Sequence, residues 1–144
     1  MENHVYRERV TPSWPSYLLP MLAGLGFVAV FLPIVEDLAL LIGLGAFAVI
    51  LAAQILFSPQ IIITATHLKV GRAQIELTHL GAAEFFEGSA KQEQLGVKLD
   101  ARAYVSIQGS AKQVIKVAVL DKKDPVPYWI FSTKHGVEIL RLLG

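Results

Sequence analysis

The 144 residues include no cysteine. That excludes thiol catalysis, cysteine-ligated zinc, iron–sulfur clusters and a secreted fold stapled by disulfides. Charge is scarce too. Asp, Glu, Lys and Arg make up 17% of the chain, against roughly 25% in a soluble globular domain. Apolar residues reach 53% and mean hydropathy is +0.51. The length allows one ordinary domain, and the chain lacks the polar surface to wrap a plain cytosolic enzyme. It is equally too apolar for an intrinsically disordered chain.

The shortage of charge is local. Residues 17–35 are a run of 19 uncharged positions and residues 38–57 a second of 20, with only Glu36 and Asp37 between them. At a rise of ~1.5 Å per residue each run makes a helix of about 30 Å, the thickness of a bilayer's hydrocarbon core. Glu36 and Asp37, at a turn in the headgroup region, stay solvated. Pro33 helps end the first helix. The pattern predicts a helical hairpin with a very short loop. A cleaved signal peptide fits less well, because its apolar region usually spans 7–15 residues. Arg7 and Arg9 precede the first run, Lys69 and Arg72 follow the second, and the loop has no Lys or Arg. By the positive-inside rule both termini are expected in the cytoplasm. Trp14, Tyr17 and Phe57 fall at the expected interfaces. With no ionisable group inside either run, a transporter or channel pore is disfavoured. Ala39 and Gly43 are four residues apart, as are Ala48 and Ala52, while Gly24 and Gly26 mark the first run. Such spacing lets helix backbones approach closely, within the hairpin or in a homo-oligomer.

Beyond Ser58-Pro59 the period changes. Residues 60–66 are β-branched and read as a strand. Residues 68–70 and 74–77 suggest a hairpin about Gly71. Residues 83–87, 103–108, 113–120 and 128–132 read as further strands. Residues 91–98 read as a polar loop, Gly109-Ser110 as a turn, and residues 136–143 as a terminal helix. The expected fold is therefore a membrane α-helical hairpin plus a small antiparallel β module, by analogy a pleckstrin-homology-like sheet or open barrel with a C-terminal helix. The expected divisions are a cytoplasmic segment 1–16, a transmembrane hairpin 17–57 and a cytoplasmic β module 58–144. From residue 58 onward, 8 Lys and 3 Arg stand against 8 acids, net +3. That suits an anionic leaflet but is too weak for nucleic acid.

Little in the chain points to catalysis. No phosphate-binding glycine loop, helical histidine pair or nucleophile elbow occurs, and His4, His67, His79 and His135 are scattered. No catalytic residue, cofactor or metal is assigned. Two clusters are denser. One runs from Asp100 through Arg102 to Tyr104; the other holds Asp121, Asp124, Pro125, Pro127, Tyr128 and Trp129. Asp100, Arg102, Tyr104, Asp124, Tyr128 and Trp129 are the candidate interaction residues. Their structural reading is an ion pair of Arg102 with Asp100 or Asp124, Asx turns at the aspartates, and at least one aromatic ring in the core.

These residues also carry a family resemblance. The opening Val5-Tyr6-Arg7-Glu8-Arg9, two apolar runs, Leu68-Lys69-Val70-Gly71-Arg72-Ala73, the Asp100 cluster, and Asp124-Pro125-Val126-Pro127-Tyr128-Trp129 followed by Ser132-Thr133-Lys134 resemble an uncharacterised family of small bacterial two-span membrane proteins, domain of unknown function 3093. The chain departs from its pattern at residues 109–112 and at Lys122. The resemblance implies a multi-pass cell-membrane location and no activity. The expected function is a non-enzymatic membrane protein whose β module docks a protein partner or lipid headgroup, or an accessory subunit of a larger complex. Its expected partners are the lipid bilayer and a protein or second copy meeting Ala39, Gly43, Ala48 and Ala52. The alternative is a small membrane enzyme acting on a lipid or cell-wall intermediate, with Asp100, Arg102, Asp124 and Tyr128 in one pocket.

Overall fold

The computed structural model describes residues 4–109 and 111–144. Ser110, half of the expected Gly109-Ser110 turn, and the first three residues of the expected segment 1–16 lie outside them. The chain divides into two compact units, one formed by Met1–Val10 with Pro59–Gly144 and the other by Thr11–Ser58.

The second unit is a helical hairpin. A 3-10 turn, Trp14–Tyr17, leads into α1 (Leu18–Phe31), and α2 covers Glu36–Leu56. The helical stretches Trp14–Phe31 and Glu36–Leu56 are long and apolar enough to cross a membrane, with mean hydropathies of 1.5 and 2.5. The turn comprises residues 32–35, so Glu36 and Asp37 sit in the first turn of α2 rather than between the helices. Carboxylates are favoured there by the partial positive charge of a helix N-terminus. Two glycines let the backbones approach: a Cβ on Gly43 would lie 2.7 Å from the Gly24 carbonyl oxygen and would strike the Val28 side chain. Ala39 and Gly43 are thus buried against α1, whereas Ala48 and Ala52 are exposed. Gln54, near the end of α2, donates from Nε2 to the Ser16 carbonyl at 3.2 Å.

The first unit holds eight strands among the described residues, in two four-stranded sheets. One has the order β1 (His4–Arg9), β2 (Gln60–Thr64), β3 (His67–Val70) and β4 (Ala73–Glu76), antiparallel throughout. Strand β1 was not expected, since residues 4–9 were placed in a separate N-terminal segment. They pair instead with β2, Glu8 facing Ile61 and Arg7 facing Ile62. The hairpin is therefore an insertion between two neighbouring strands, and the Val10 N–H donates to the Pro59 carbonyl at 2.9 Å. Gly71 turns the chain from β3 to β4 with φ +59°, a region costly for residues that carry a Cβ.

The other sheet has the order β5 (Leu80–Glu87), β7 (Gln113–Val119), β8 (Tyr128–Thr133), β6 (Tyr104–Ser106). It is mixed rather than purely antiparallel, because β6 runs parallel to β8. The chain reverses between β6 and β7 and again between β7 and β8. Strand β8 therefore returns in the direction of β6 and lies between it and β7. Residues 91–98, expected as a loop, are largely taken up by α3 (Gly88–Leu95). Its Ala, Lys, Gln, Glu and Leu are good helix formers without an apolar stripe, so periodicity could not reveal it.

The core lies between the two sheets. Ile61, Ile63, Leu68 and Val70 from one meet Ile115, Val117, Trp129 and Phe131 from the other, together with Ile139 of α4 (Gly136–Leu143). Alternation sends Lys116 to the opposite face, where its Nζ meets Gln94 Oε1 of α3 at 3.1 Å.

Candidate functional site

Of the six residues singled out in the sequence, three come together and three do not. Asp100 and Arg102 form an exposed fork: Nε to Oδ1 at 3.2 Å and Nη2 to Oδ2 at 3.0 Å, with the Arg102 N–H also donating to Oδ1 at 2.8 Å. These hydrogen bonds from Arg102 hold the Asp100 carboxyl below its ordinary range, and the carboxylate in turn raises Arg102. Tyr128 Oη accepts from the Asp100 N–H at 2.7 Å and donates to the Lys98 carbonyl at 3.4 Å. Lys116 Nζ stands 4.4 Å from the centre of the Tyr128 ring. Asp100, Arg102 and Tyr128 are thus brought together.

The other three are elsewhere. Asp124 turns back on its own loop, accepting from the Val126 N–H at 2.9 Å, and Asp121 does the same for Lys123. Trp129 is 4% exposed and packs in the core, its ring 4.9 Å from that of Tyr104. Tyr104 Oη ties the mixed sheet to the first sheet through the Val70 carbonyl at 2.8 Å. The arrangement is that of a loop pinned to a strand. Of the clefts in the β unit, one of about 470 Å³ lies beside Lys91, Gln92 and Lys112, and another of about 420 Å³ beside Gln113, His135 and Arg141. Neither is lined by any of the six residues.

The densest polar cluster was not foreseen as a site. Along β1 and just past its end the alternation points Tyr6, Glu8 and Val10 inward. Glu8 is only 7% exposed. Its Oε2 accepts from Thr133 Oγ1 at 2.6 Å and from Tyr6 Oη at 2.9 Å, and its Oε1 accepts from the Lys134 N–H at 2.7 Å. His135 Nδ1 lies 3.7 Å from Oε1 and 3.3 Å from Tyr6 Oη. Burial first, then the Glu8 hydrogen bond and the charges of Glu8 and Glu138, push the Tyr6 hydroxyl well above the ordinary tyrosine range. A buried carboxylate is costly unless its lone pairs are filled by donors, and β8 with the following turn supplies them. The two ends of the β unit are joined here: Glu8 and Thr133 are 125 positions apart. The signal in the sequence was an acid on the same strand face as Val10. The same cluster borders the cleft at the start of α4, which Lys134, His135, Glu138 and Arg141 help to line. Among the described residues no group of three or more metal-ligating side chains occurs.

Among known proteins, a family model described as protein of unknown function (DUF3093) matches residues 5–143. No curated protein and no solved structure matches.

Proposed function

The chain belongs to this family of unknown function, and from that starting point we propose a non-catalytic membrane protein: the hairpin anchors the chain in a bilayer, and the β unit is a cytoplasmic module that docks a protein partner or lipid headgroup. The observation that carries this reading is the apolar surface of the hairpin. Only 11% of each candidate span is buried, while Leu19, Leu22, Leu40, Leu44 and Val49 are all more than 60% exposed. Burying one such side chain is worth about 1.5–3 kcal/mol, a gain repeated along both helices only if lipid covers them. The pairing of β1 with β2 supports placing both chain ends on one side, since two spans between them return the chain to the side it left. The arginines and lysines flanking the hairpin favour the cytoplasm for that side. The Asp100–Arg102 fork beside Tyr128 offers exposed charge for a docking surface, and Ala48 and Ala52 remain open to a second copy in the membrane.

Alkaline carbonate washing of membranes containing the full chain tests the anchor. The protein should stay with the membrane and float with lipid. Release by carbonate, or a monomer in detergent-free buffer, would overturn the reading.

A further inference from the structure

The cleft at the start of α4 is lined by His135, whose Nδ1 lies 3.7 Å from Oε1 of the buried Glu8. Tyr6 has one hydroxyl proton, which goes to Glu8 Oε2 at 2.9 Å. At the 3.3 Å contact between Tyr6 Oη and His135 Nδ1 the ring N–H must therefore donate and the tyrosine oxygen accept. Glu8 Oε1, 3.7 Å from the same nitrogen, favours that arrangement. Nδ1 thus carries a proton, and a neutral ring keeps its lone pair on Nε2. The His135 side chain is 59% exposed and lines the cleft. Arg141 lines the same cleft and forms no ion pair among the described residues.

We propose that this cleft of about 420 Å³ binds a phosphate monoester, gripped by the Arg141 guanidinium and by Nε2 of His135. A monoester carries a charge of about −1.5 to −2 at neutral pH, with a second pKa of about 6. It therefore offers both P–O⁻ and, in its singly protonated form, P–OH. The guanidinium fork matches two phosphate oxygens. Neutral Nε2 accepts from P–OH, and protonated Nε2 donates to P–O⁻, so the pair holds the ligand in either state. A phosphate diester has one charge and no P–OH and fits less well. Lys134 lines the cleft as well, but the match does not require its ammonium group. Glu138 lines it too and opposes an anion. The site lies wholly within the β unit and stands apart from the membrane reading: failure of the hairpin to span would leave it intact.

The test uses the full chain in neutral detergent micelles at fixed salt, followed by calorimetry. One arm is titrated with glycerol 3-phosphate, the other with micelles carrying phosphatidic acid or, at equal mole fraction, phosphatidylglycerol. Saturable binding of a monoester is expected, weakened about tenfold or more by Arg141→Gln and by His135→Ala, tightened several-fold by Glu138→Gln, and unchanged by Arg102→Gln. Arg141 and Glu138 are exposed, so those variants read the cleft rather than the fold. A response to phosphatidic acid alone identifies a lipid headgroup as the source, and a response to glycerol 3-phosphate alone a soluble one. No saturable binding, equal affinity for phosphatidylglycerol, an adverse or absent effect of Glu138→Gln, or indifference to Arg141→Gln overturns the proposal.

Discussion

Replacing Glu8 with alanine removes the acceptor on which the closure of the β unit converges. The carboxylate takes hydrogen bonds from Tyr6, Thr133 and the Lys134 N–H, at 2.9, 2.6 and 2.7 Å. Tyr6 is part-buried and can turn its hydroxyl to water. Thr133, at 0% exposure, cannot. The buried Thr133 hydroxyl left without a partner costs about 1–3 kcal/mol, the Lys134 N–H loses a hydrogen bond to a charged group worth about 1.5–3 kcal/mol, and the lost packing of the side chain adds to this. The expected loss is about 3–5 kcal/mol. In a unit of this size each kcal/mol moves the midpoint by about 4–8 °C, so Tm should fall by at least about 10 °C. Glu8→Gln keeps the shape and one acceptor but turns an NH2 toward donors, and should cost about 1–2 kcal/mol. The assay is thermal unfolding of the full chain in detergent, read by Trp129 emission in a Trp14→Phe background. Arg7→Ala, on the outer face of the same strand, is the control and should stay within about 0.5 kcal/mol. If Glu8→Ala unfolds no earlier than Arg7→Ala, the carboxylate does not hold the two ends of the unit together.

Other outcomes follow from the same geometry. The raised Tyr6 hydroxyl means that the folded state keeps a proton the unfolded state gives up: its contribution to stability is complete below the ordinary tyrosine value of 10.0 and is lost as pH climbs above it. Urea unfolding at rising alkaline pH should show that loss, and Tyr6→Phe should flatten it. Gly71→Ala forces a Cβ into a left-handed position and to 3.2 Å from Tyr104 Oη, for a cost of about 1–2 kcal/mol in the same thermal assay. Gly43→Leu drives a side chain into the Gly24 carbonyl and Val28 and should lengthen the spin-label distance between Gly26→Cys and Gly45→Cys, two positions with open space around them; Gly45→Ala should leave helix packing unchanged.

Much of this architecture was legible in residue order. Two uncharged runs have one stable length, and the alternation about Lys116 assigned Ile115, Val117 and Val119 to one face before any coordinate did. Ser58-Pro59 marked where the period changes. What stayed hidden depended on distant partners. Residues 4–9 are mostly polar or charged and show no apolar alternation of their own, and their partner β2 comes only after 48 inserted positions. Helix α3 has propensity but no apolar stripe. The parallel β6–β8 pair follows from which strand lies in the middle of the sheet, and local pattern carries no such information. The Asp100 cluster was visible because its pairing is local, Arg102 reaching back two positions. Glu8 went unnoticed because its donors lie at the far end of the chain, although the same stretches, Tyr6 to Arg9 and Ser132 to Lys134, carried the family resemblance.

Because the chain has no cysteine, single reporters can be placed cleanly. The most direct test of the membrane hairpin compares Ile34→Cys, in the turn between the helices, with Lys122→Cys, in a loop of the β unit, on intact cells treated with a membrane-impermeant maleimide. Labelling at position 34 alone, with position 122 reacting only after permeabilisation, is the predicted result. Labelling at 122 but not at 34 would reverse the orientation, and equal reaction at both positions without permeabilisation would contradict a hairpin lodged across the bilayer.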